Sequence, residues 1–362
     1  MRQSVAHPQR RLPGLDAARG IAIAGMVLVN VGQVTQAGPI EPLMRLAYGR
    51  ASLLFVVLAG VGIALATRRY REAGKGGVLS LLPRVLILLI SGLGLQLLDH
   101  EVNVILPTYA ALFVVAMCTV QMPRRGLLIG ALASMAAGPV VWLAAQCDHE
   151  ITRHAPTLLD SPLHIAADVC VYGPYPVITW IGPFLFGMWL GRLNLADTRV
   201  QWRLTLWGGG AAVGGLLASR VLVLFRGEPS PGNGFDRLIS AVGHSQMPLW
   251  LASGVGSAVF VIGFLLLASA HLRWWSYPLT ALGRLSLSVY VFHLLVLAFI
   301  VTPETSGVIT VILILTAATI GAALWCQKFA RGPLEVLMHA AGALMAPGSR
   351  PQDSSSDGTP RE

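Results

Sequence analysis

The sequence predicts an all-α membrane protein, a bundle of about ten transmembrane helices. Hydrophobic residues fill 54% of its 362 positions, the mean hydropathy is +0.66, and charged residues account for only 12%. That charged share is about half of what a soluble domain carries. The apolar residues also form continuous runs of about 20, which is the length that crosses the hydrocarbon core of a bilayer. Because excess Lys and Arg mark the cytoplasmic loops of membrane proteins, the net charge of +9 predicts a lipid bilayer as partner and no nucleic acid.

Breaks between the apolar runs divide the chain into ten predicted spans. Residues 1–346 are predicted to form one transmembrane domain, and the amphipathic segment 332–346 to lie at the cytoplasmic interface. The Ser-, Pro- and Gly-rich segment 347–362 is predicted to be a disordered cytoplasmic tail. The spans are 16–34, 47–67, 78–98, 102–121, 126–147, 173–191, 204–225, 249–270, 277–300 and 306–327.

Loop charges predict the orientation of this bundle. When ten spans are assumed, every loop rich in Lys or Arg falls on one face, and the acidic and His-containing loops fall on the other. The positive-inside rule then places both termini in the cytoplasm of a cell whose plasma membrane the protein crosses many times. The basic segment from Arg2 to Arg19 leads into the first span without a cleavage-site pattern, so this span is expected to act as a signal anchor.

The first span carries polar residues along one face. At 100° per residue, Asp16, Arg19 and Asn30 fall within one 60° sector, with Gln33 beside it. A polar group inside a span costs a few kcal/mol, so it needs a partner or a function. The simpler interpretation is an Asp16–Arg19 pair at the water boundary and an Asn30 that bonds a neighbouring helix. The alignment of all of them favours an internal polar cavity.

The ninth span repeats this pattern. Ser286, Tyr290 and His293 share one face through i, i+4 and i+7 spacing, and His293 is expected at a depth similar to that of Asn30. Arg284 falls on the opposite side of an ideal helix, where it would extend toward lipid phosphates. A buried histidine that simply packs in the core remains the alternative for His293.

Few sequence motifs for catalysis are present. The sequence contains no phosphate-binding loop, no dinucleotide fingerprint and no metalloprotease or serine-hydrolase motif, and its His residues lack zinc-site spacing, so no metal is predicted. Arg50 and His244 are further polar residues expected toward the outer side. A disulfide between Cys147 and Cys170 is left open, because both flank the longest polar loop.

Four segments resemble the heparan-alpha-glucosaminide N-acetyltransferase family and, more closely, the bacterial YeiB-like membrane proteins related to it. The first runs from Arg11 to Asn30 and reads RLPGLDAARGIAIAGMVLVN. The second, from Gly49 to Leu65, reads GRASLLFVVLAGVGIAL, and the third, from Tyr175 to Leu193, reads YPVITWIGPFLFGMWLGRL. The last runs from Gly243 to Leu295 and includes GHSQMP and PLTALGRLSLSVYVFHLL.

The resemblance implies a membrane acyltransferase that uses acetyl-CoA or another acyl-CoA from the cytosolic side. In that family the acetyl group passes to an amino sugar on the far side of the membrane. Carried over to this chain, Asp16 and Arg19 would organise the inner mouth, and Asn30 would hydrogen-bond the acyl carbonyl. Tyr290 is placed with them among the substrate-binding residues.

The chain departs from the family in its first outer loop. Characterised acetyltransferases of the family carry a histidine soon after the Asn, but residues 31–48 contain none. The general base is therefore expected to be His293 or His244, with Glu41 as third candidate, since His accepts a proton near neutral pH. Arg50 would stabilise negative charge on the acyl oxygen.

Two functions remain open at this stage. The first is transfer of an acetyl or similar group from CoA to a sugar or glycan acceptor. The alternative is a non-enzymatic permease or exporter of a small polar molecule. Such a protein works by alternating access and is usually built from inverted repeats. No such repeat is evident in the sequence, and this favours the enzyme. A homo-oligomer is compatible with either function.

Overall fold

The computed structural model describes residues 11–32, 41–68, 71, 77–146, 155–230, 234–271, 277–302 and 305–344. Within these ranges the chain forms helices and short connections, without a β-strand. Gln33, Cys147 and the tail 347–362 lie outside the described residues. The helices are α1 (Pro13–Gly32), α2 (Glu41–Ala47), α3 (Arg50–Ala66), α4 (Leu82–Leu95), α5 (Leu106–Thr119), α6 (Arg124–Gln146), α7 (Pro162–Ala167), α8 (Val177–Leu190), α9 (Thr198–Arg226), α10 (Pro248–His271), α11 (Tyr277–Arg284), α12 (Ser286–Phe299), α13 (Val308–Lys328) and α14 (Pro333–Leu344).

The predicted all-α membrane bundle is confirmed, with a lower span count. Seven helical segments of the described chain are long and apolar enough to cross a membrane. Two sharply bent helix pairs raise the number to nine if each pair is one span. The predicted fourth span corresponds to α5, whose 14 residues are shorter than the roughly 20 that a bilayer requires.

The prediction of one continuous helix over residues 277–300 is wrong. The segment forms α11 and α12, which meet at Leu285 with a 79° bend. The carboxylate of Glu335 explains why a new helix starts here, because it accepts hydrogen bonds from the backbone N–H groups of Leu287 (2.7 Å) and Ser288 (3.1 Å). These N–H groups have no partner within a helix that begins at Ser286, and a carboxylate at this position is stabilising.

α1 lies at the centre of the bundle, between α3, α10, α11 and α13. Its close approach to α11 depends on glycine. A Cβ atom on Gly283 would collide with the backbone carbonyl of Asp16, and one on Gly20 with that of Leu279. Small residues allow membrane helices to touch through their backbones in this way. The contact fixes the polar face of α1 against the start of α12.

The predicted amphipathic segment near the C-terminus is the helix α14. It packs against α4 and α12, and its Met338 carbonyl accepts a hydrogen bond from Nε of Arg84 at 3.1 Å. Because Glu335 also joins it to α12, this helix covers one end of the bundle. That end receives the start of α1 as well, since Arg11 and Arg331 line the same cavity.

Candidate functional site

A basic cavity of about 350 Å³ opens at the end of the bundle where α1, α12 and α14 meet. We call it the basic mouth. It brings together residues that are far apart in sequence, and five arginines face two carboxylates in its wall. The charged and titratable residues that line it are Arg11, Asp16, Arg19, Arg84, Arg284, Arg331, Glu335 and His339.

The two carboxylates of the basic mouth are both occupied by internal partners. Asp16 is only 3% exposed and accepts hydrogen bonds from Nη1 of Arg19 (2.9 Å) and Nε of Arg11 (2.7 Å). Glu335 accepts from the hydroxyl of Ser288 at 2.5 Å as well as from the start of α12. The cavity therefore has a net positive charge, which favours an anion such as a phosphate. The predicted Asp16–Arg19 pair is confirmed.

Arg284 contradicts its prediction. It lines the basic mouth, and its Nη2 atom donates to the Ala330 carbonyl at 2.7 Å. The expected position on the opposite side assumed an unbroken helix, whereas the helix bends at Leu285 and Arg284 lines the same cavity as Asp16. His339 is the titratable residue of α14 in the same wall. Burial, with Arg331 and Arg84 nearby, lowers the pKa of His339 below its ordinary value.

An apolar throat continues inward from the basic mouth. Its volume is about 160 Å³, and it adjoins the basic mouth, because five residues line both spaces: Phe55, Ala59, Phe113, Leu287 and Met338. Tyr109 and Tyr290 lie in the wall of the throat. The Tyr290 hydroxyl accepts a hydrogen bond from the backbone N–H of Ile105 at 3.3 Å. The Tyr109 hydroxyl is buried and has no hydrogen-bond partner among the described residues.

Asn30 and His293 meet beside Tyr290. The Asn30 amide nitrogen lies 3.1 Å from Nε2 of His293, which is fully buried, and the His293 ring packs edge-on against Tyr290 with ring centroids 5.1 Å apart. The structure thus confirms that the polar faces of the first and ninth predicted spans share one depth. When the amide donates, Nε2 is the acceptor, so the neutral ring carries its proton on Nδ1.

His244 lies at a different place, in the wall of a polar cavity of about 500 Å³. Its ring packs among four aromatic side chains at centroid distances from 4.7 to 6.4 Å: Tyr48, Tyr175, Trp180 and Trp250. The Tyr175 carbonyl accepts a hydrogen bond from the hydroxyl of Thr108 at 2.8 Å, and Thr108 precedes Tyr109 of the throat wall. The aromatic group therefore lies between the polar cavity and the wall of the apolar throat.

The backbone at His244 is strained. His244 has a φ of 56° and Gln246 a φ of 66°, in the left-handed region that residues other than glycine rarely adopt. Buried hydrogen bonds hold this conformation, because Gln246 accepts from the Thr179 hydroxyl at 3.0 Å and donates to the Pro174 carbonyl at 3.3 Å. Strain of this kind is frequent at binding and catalytic sites.

Four predicted site residues line none of these cavities: Asn30 and His293, which contact each other beside Tyr290 of the throat wall, and Glu41 and Arg50. Glu41 forms an ion pair with Arg45 on α2 at 2.6 Å, and Arg50 donates to the Leu46 carbonyl at 3.5 Å. Neither residue lines the basic mouth, the apolar throat or the polar cavity. Among the described residues, no three His, Cys, Asp or Glu side chains come together as metal ligands would.

Several residues of the site were missed by the sequence reasoning. Glu335 was assigned only to an interfacial segment, and Trp180 and Trp250 appeared as ordinary apolar residues of their spans. Tyr175 was noted only as the start of a motif. One signal for this part of the site was available in the sequence. The polar segment GHSQMP, Gly243 to Pro248, comes directly before the eighth predicted span, and a simple loop does not need it.

Two known protein families match this chain. Residues 11–219 match the family described as heparan-alpha-glucosaminide N-acetyltransferase, catalytic, and residues 191–344 match the family described as protein of unknown function (DUF418). No curated protein matches the chain. The first match covers more than half of the chain and contains Asp16, Arg19 and Asn30, and the second contains His244 and His293. The chain therefore belongs to the heparan-alpha-glucosaminide N-acetyltransferase family of membrane acyltransferases, together with its YeiB-like relatives.

Proposed function

We propose that this protein transfers an acyl group from acyl-CoA to an acceptor within the membrane. The single observation that carries the proposal is that the basic mouth adjoins the apolar throat through five shared wall residues. A nucleotide with several phosphates matches the arginine-lined mouth, and a slender pantetheine arm matches the narrow, uncharged throat. A site that combines a few fixed polar groups with apolar walls is typical of small-molecule recognition.

The acyl group is assigned to the inner end of the throat. The unpartnered Tyr109 hydroxyl is available to donate a hydrogen bond to the thioester carbonyl oxygen. The second N–H of the Asn30 amide is available for the same oxygen, because only one of the two is needed for His293. Donors fixed near a carbonyl stabilise the negative charge that develops on its oxygen during acyl transfer. His293 is thus a positioning residue for Asn30.

The acceptor is assigned to the polar cavity, and His244 is the proposed general base. A hydroxyl or amine of the acceptor attacks the thioester carbon while His244 takes its proton. The tetrahedral intermediate then collapses, the C–S bond breaks, and CoA leaves as the thiolate, which takes up a proton. His244 suits this role because it lies in the cavity wall while its ring contacts Tyr175 on the side of the throat.

The proposed orientation follows the loop charges. The basic mouth faces the cytoplasm, where both termini lie, and the polar cavity faces the other side of the plasma membrane. Acyl-CoA then binds from the cytoplasm, and the acceptor, a sugar or glycan, binds from outside.

Binding of acetyl-CoA to the purified, detergent-solubilised protein tests this proposal. Calorimetry should give a micromolar dissociation constant, and [¹⁴C]acetyl-CoA supplied to the basic side of proteoliposomes should label a membrane-impermeant amine or polyol on the other side. A folded protein without CoA affinity would refute the proposal. Flux of an intact polar solute that does not depend on CoA would instead establish a permease.

A further inference from the structure

One cavity of the described chain serves none of the steps proposed above. It is a groove of about 600 Å³ between α6, α8, α9 and α10, on the lipid-facing side of the bundle. We call it the α9 groove. Its walls are almost entirely apolar, but two arginines, Arg124 and Arg203, lie at one end together with Trp189. We infer that the α9 groove binds an anionic glycerophospholipid, with its phosphate on the two arginines and an acyl chain along the groove.

The charges at the end of the groove support an anionic headgroup. Among the described residues, neither Arg124 nor Arg203 forms an ion pair or a side-chain hydrogen bond, and Arg124 only stacks over the Trp189 ring, 5.7 Å from its centroid. By contrast, Arg192 in the adjacent loop is occupied, since it donates to the carbonyls of Val120 and Met122. Basic pockets between membrane helices are typical binding sites for acidic lipid headgroups.

The dimensions of the groove match one leaflet. On α6 its lining runs from Arg124 to Met135, and eleven residues of helix extend roughly 16 Å. Half of the hydrocarbon core of a bilayer measures about 15 Å. With the arginines at the headgroup level, an acyl chain of that leaflet therefore reaches along the whole groove. Trp189 and Trp207 lie in its wall, and aromatic rings of this kind are enriched at the membrane interface.

Small residues create the space. α9 and α10 touch through their backbones, because a Cβ atom on Gly208 would collide with the backbone nitrogen of Phe260, and one on Gly256 with that of Ala212. Ala211 and Ala252 are exposed and continue this floor. A larger side chain at either alanine would fill the groove without entering the protein core.

Native mass spectrometry with defined lipids tests the inference. The probes are phosphatidylglycerol and phosphatidylcholine with identical acyl chains, added to the delipidated, full-length protein. We expect one phosphatidylglycerol to bind about tenfold more tightly than phosphatidylcholine, and we expect Arg124→Gln/Arg203→Gln to abolish this preference. The matched control Arg125→Gln/Arg199→Gln removes two neighbouring exposed arginines that do not line the groove, and it should retain the preference.

Blocking variants separate a lipid site from a simple phosphate site. Ala252→Trp should lower the affinity for both lipids at least fivefold, and Ala211→Trp serves as the second blocking variant if the first elutes as aggregate. Ala317→Trp, on the exposed face of α13, is the control for a bulky lipid-facing residue. Equal binding of the two lipids by the wild type, or an unchanged preference in the Arg124→Gln/Arg203→Gln variant, would overturn the inference. Full competition by glycerol 3-phosphate would also overturn it, because the acyl chain would then contribute nothing.

Discussion

The side-chain amide of Asn30 lies 3.1 Å from Nε2 of His293, and this contact joins α1 to α12 across 263 positions of sequence. The His293 ring packs against Tyr290, which lies in the wall of the apolar throat. A buried pair of polar groups in a membrane bundle is costly unless each group is satisfied. The pair therefore fixes one amide in a defined orientation, which is the requirement for a group that acts on a reacting carbonyl.

Loss of the Asn30 amide should reduce catalysis more than donor binding. We expect Asn30→Ala to lower the rate of acyl transfer by about 10²–10³-fold, the usual effect of removing one oxyanion donor. The dissociation constant of CoA, measured by calorimetry, should change little because CoA lacks the acyl carbonyl. Asn194→Ala, in an exposed loop, is the matched control. Equal loss of CoA affinity and rate would show that Asn30 supports the fold of the site rather than the reaction.

Tyr109→Phe removes only the unpartnered hydroxyl. If that hydroxyl donates to the thioester, bound acetyl-CoA labelled with ¹³C at the acetyl carbonyl should show a lower carbonyl stretching frequency than in solution. In the variant this infrared shift should decrease, and affinity should fall about tenfold for acetyl-CoA but not for CoA. Tyr290→Phe provides the comparison, because it removes the other hydroxyl of the throat wall, which accepts a hydrogen bond from the Ile105 N–H but can still donate; a shift lost in this variant instead would make Tyr290 the donor. An unchanged band in Tyr109→Phe would place the carbonyl elsewhere.

Arg331 is an exposed arginine in the wall of the basic mouth, where it can reach an incoming phosphate. Arg331→Gln should weaken CoA binding about tenfold, because a charge-assisted hydrogen bond contributes about 1.5–3 kcal/mol. The affinity for acetyl-pantetheine, which lacks the nucleotide and its phosphates, should stay the same. Arg125→Gln, outside the mouth, should leave both affinities unchanged. Equal weakening of CoA and acetyl-pantetheine would contradict a phosphate contact.

The lowered pKa of His339 predicts that the stability of the folded protein depends on pH. Its folded pKa is lowered by burial and by Arg331 and Arg84, whereas its unfolded pKa is about 6.5. The unfolded chain therefore binds more protons as the pH falls below that value, and the folded protein should lose stability over that range. Thermal unfolding of the wild type and His339→Gln between pH 8 and pH 5 measures this. The difference in Tm between the two proteins should be constant above pH 7 and should shift in favour of the variant at lower pH.

Glu335 should anchor α14 to the start of α12. Glu335→Ala removes the acceptor for two backbone N–H groups and one hydroxyl, so we expect a loss of roughly 1–2 kcal/mol and a lower Tm. Cysteine labelling at an α14 position such as Ala340 should become faster, because the helix detaches. Glu335→Gln retains one acceptor oxygen and should show a smaller effect. Labelling at an unchanged rate in Glu335→Ala would mean that other contacts hold α14.

The sequence was sufficient to predict that the protein is a bundle of membrane helices and that polar residues line one face of its first helix. Apolar run length determines membrane helices because lipid offers no hydrogen bonds to the backbone, and each predicted span overlaps a helix of the structure. Helical periodicity likewise placed Asp16, Arg19 and Asn30 on one face, and the structure distributes them between the mouth and the His293 contact.

Tertiary contacts account for what periodicity could not predict. The break at Leu285 depends on the close contact of Gly283 with Asp16 and on a carboxylate from α14, so the helical periodicity of residues 277–300 alone does not predict it. A prediction that assumes an unbroken helix therefore places Arg284 on the wrong side. The aromatic surroundings of His244 come from four separate segments, and Arg50 and Glu41 engage local partners on or beside α2 that an unstructured loop would not have offered.

The walls of the basic mouth come from both ends of the described chain. Arg11 and Asp16 lie at the start of the first span, whereas Arg331, Glu335 and His339 follow the last one. During synthesis, a ribosome releases these two halves of the wall far apart in time. A nascent chain that has already inserted every span still lacks half of the walls of the basic mouth until α14 folds back on Arg84. Insertion of the spans and completion of the basic mouth are therefore separate events in the biogenesis of this protein, and α14 completes the second.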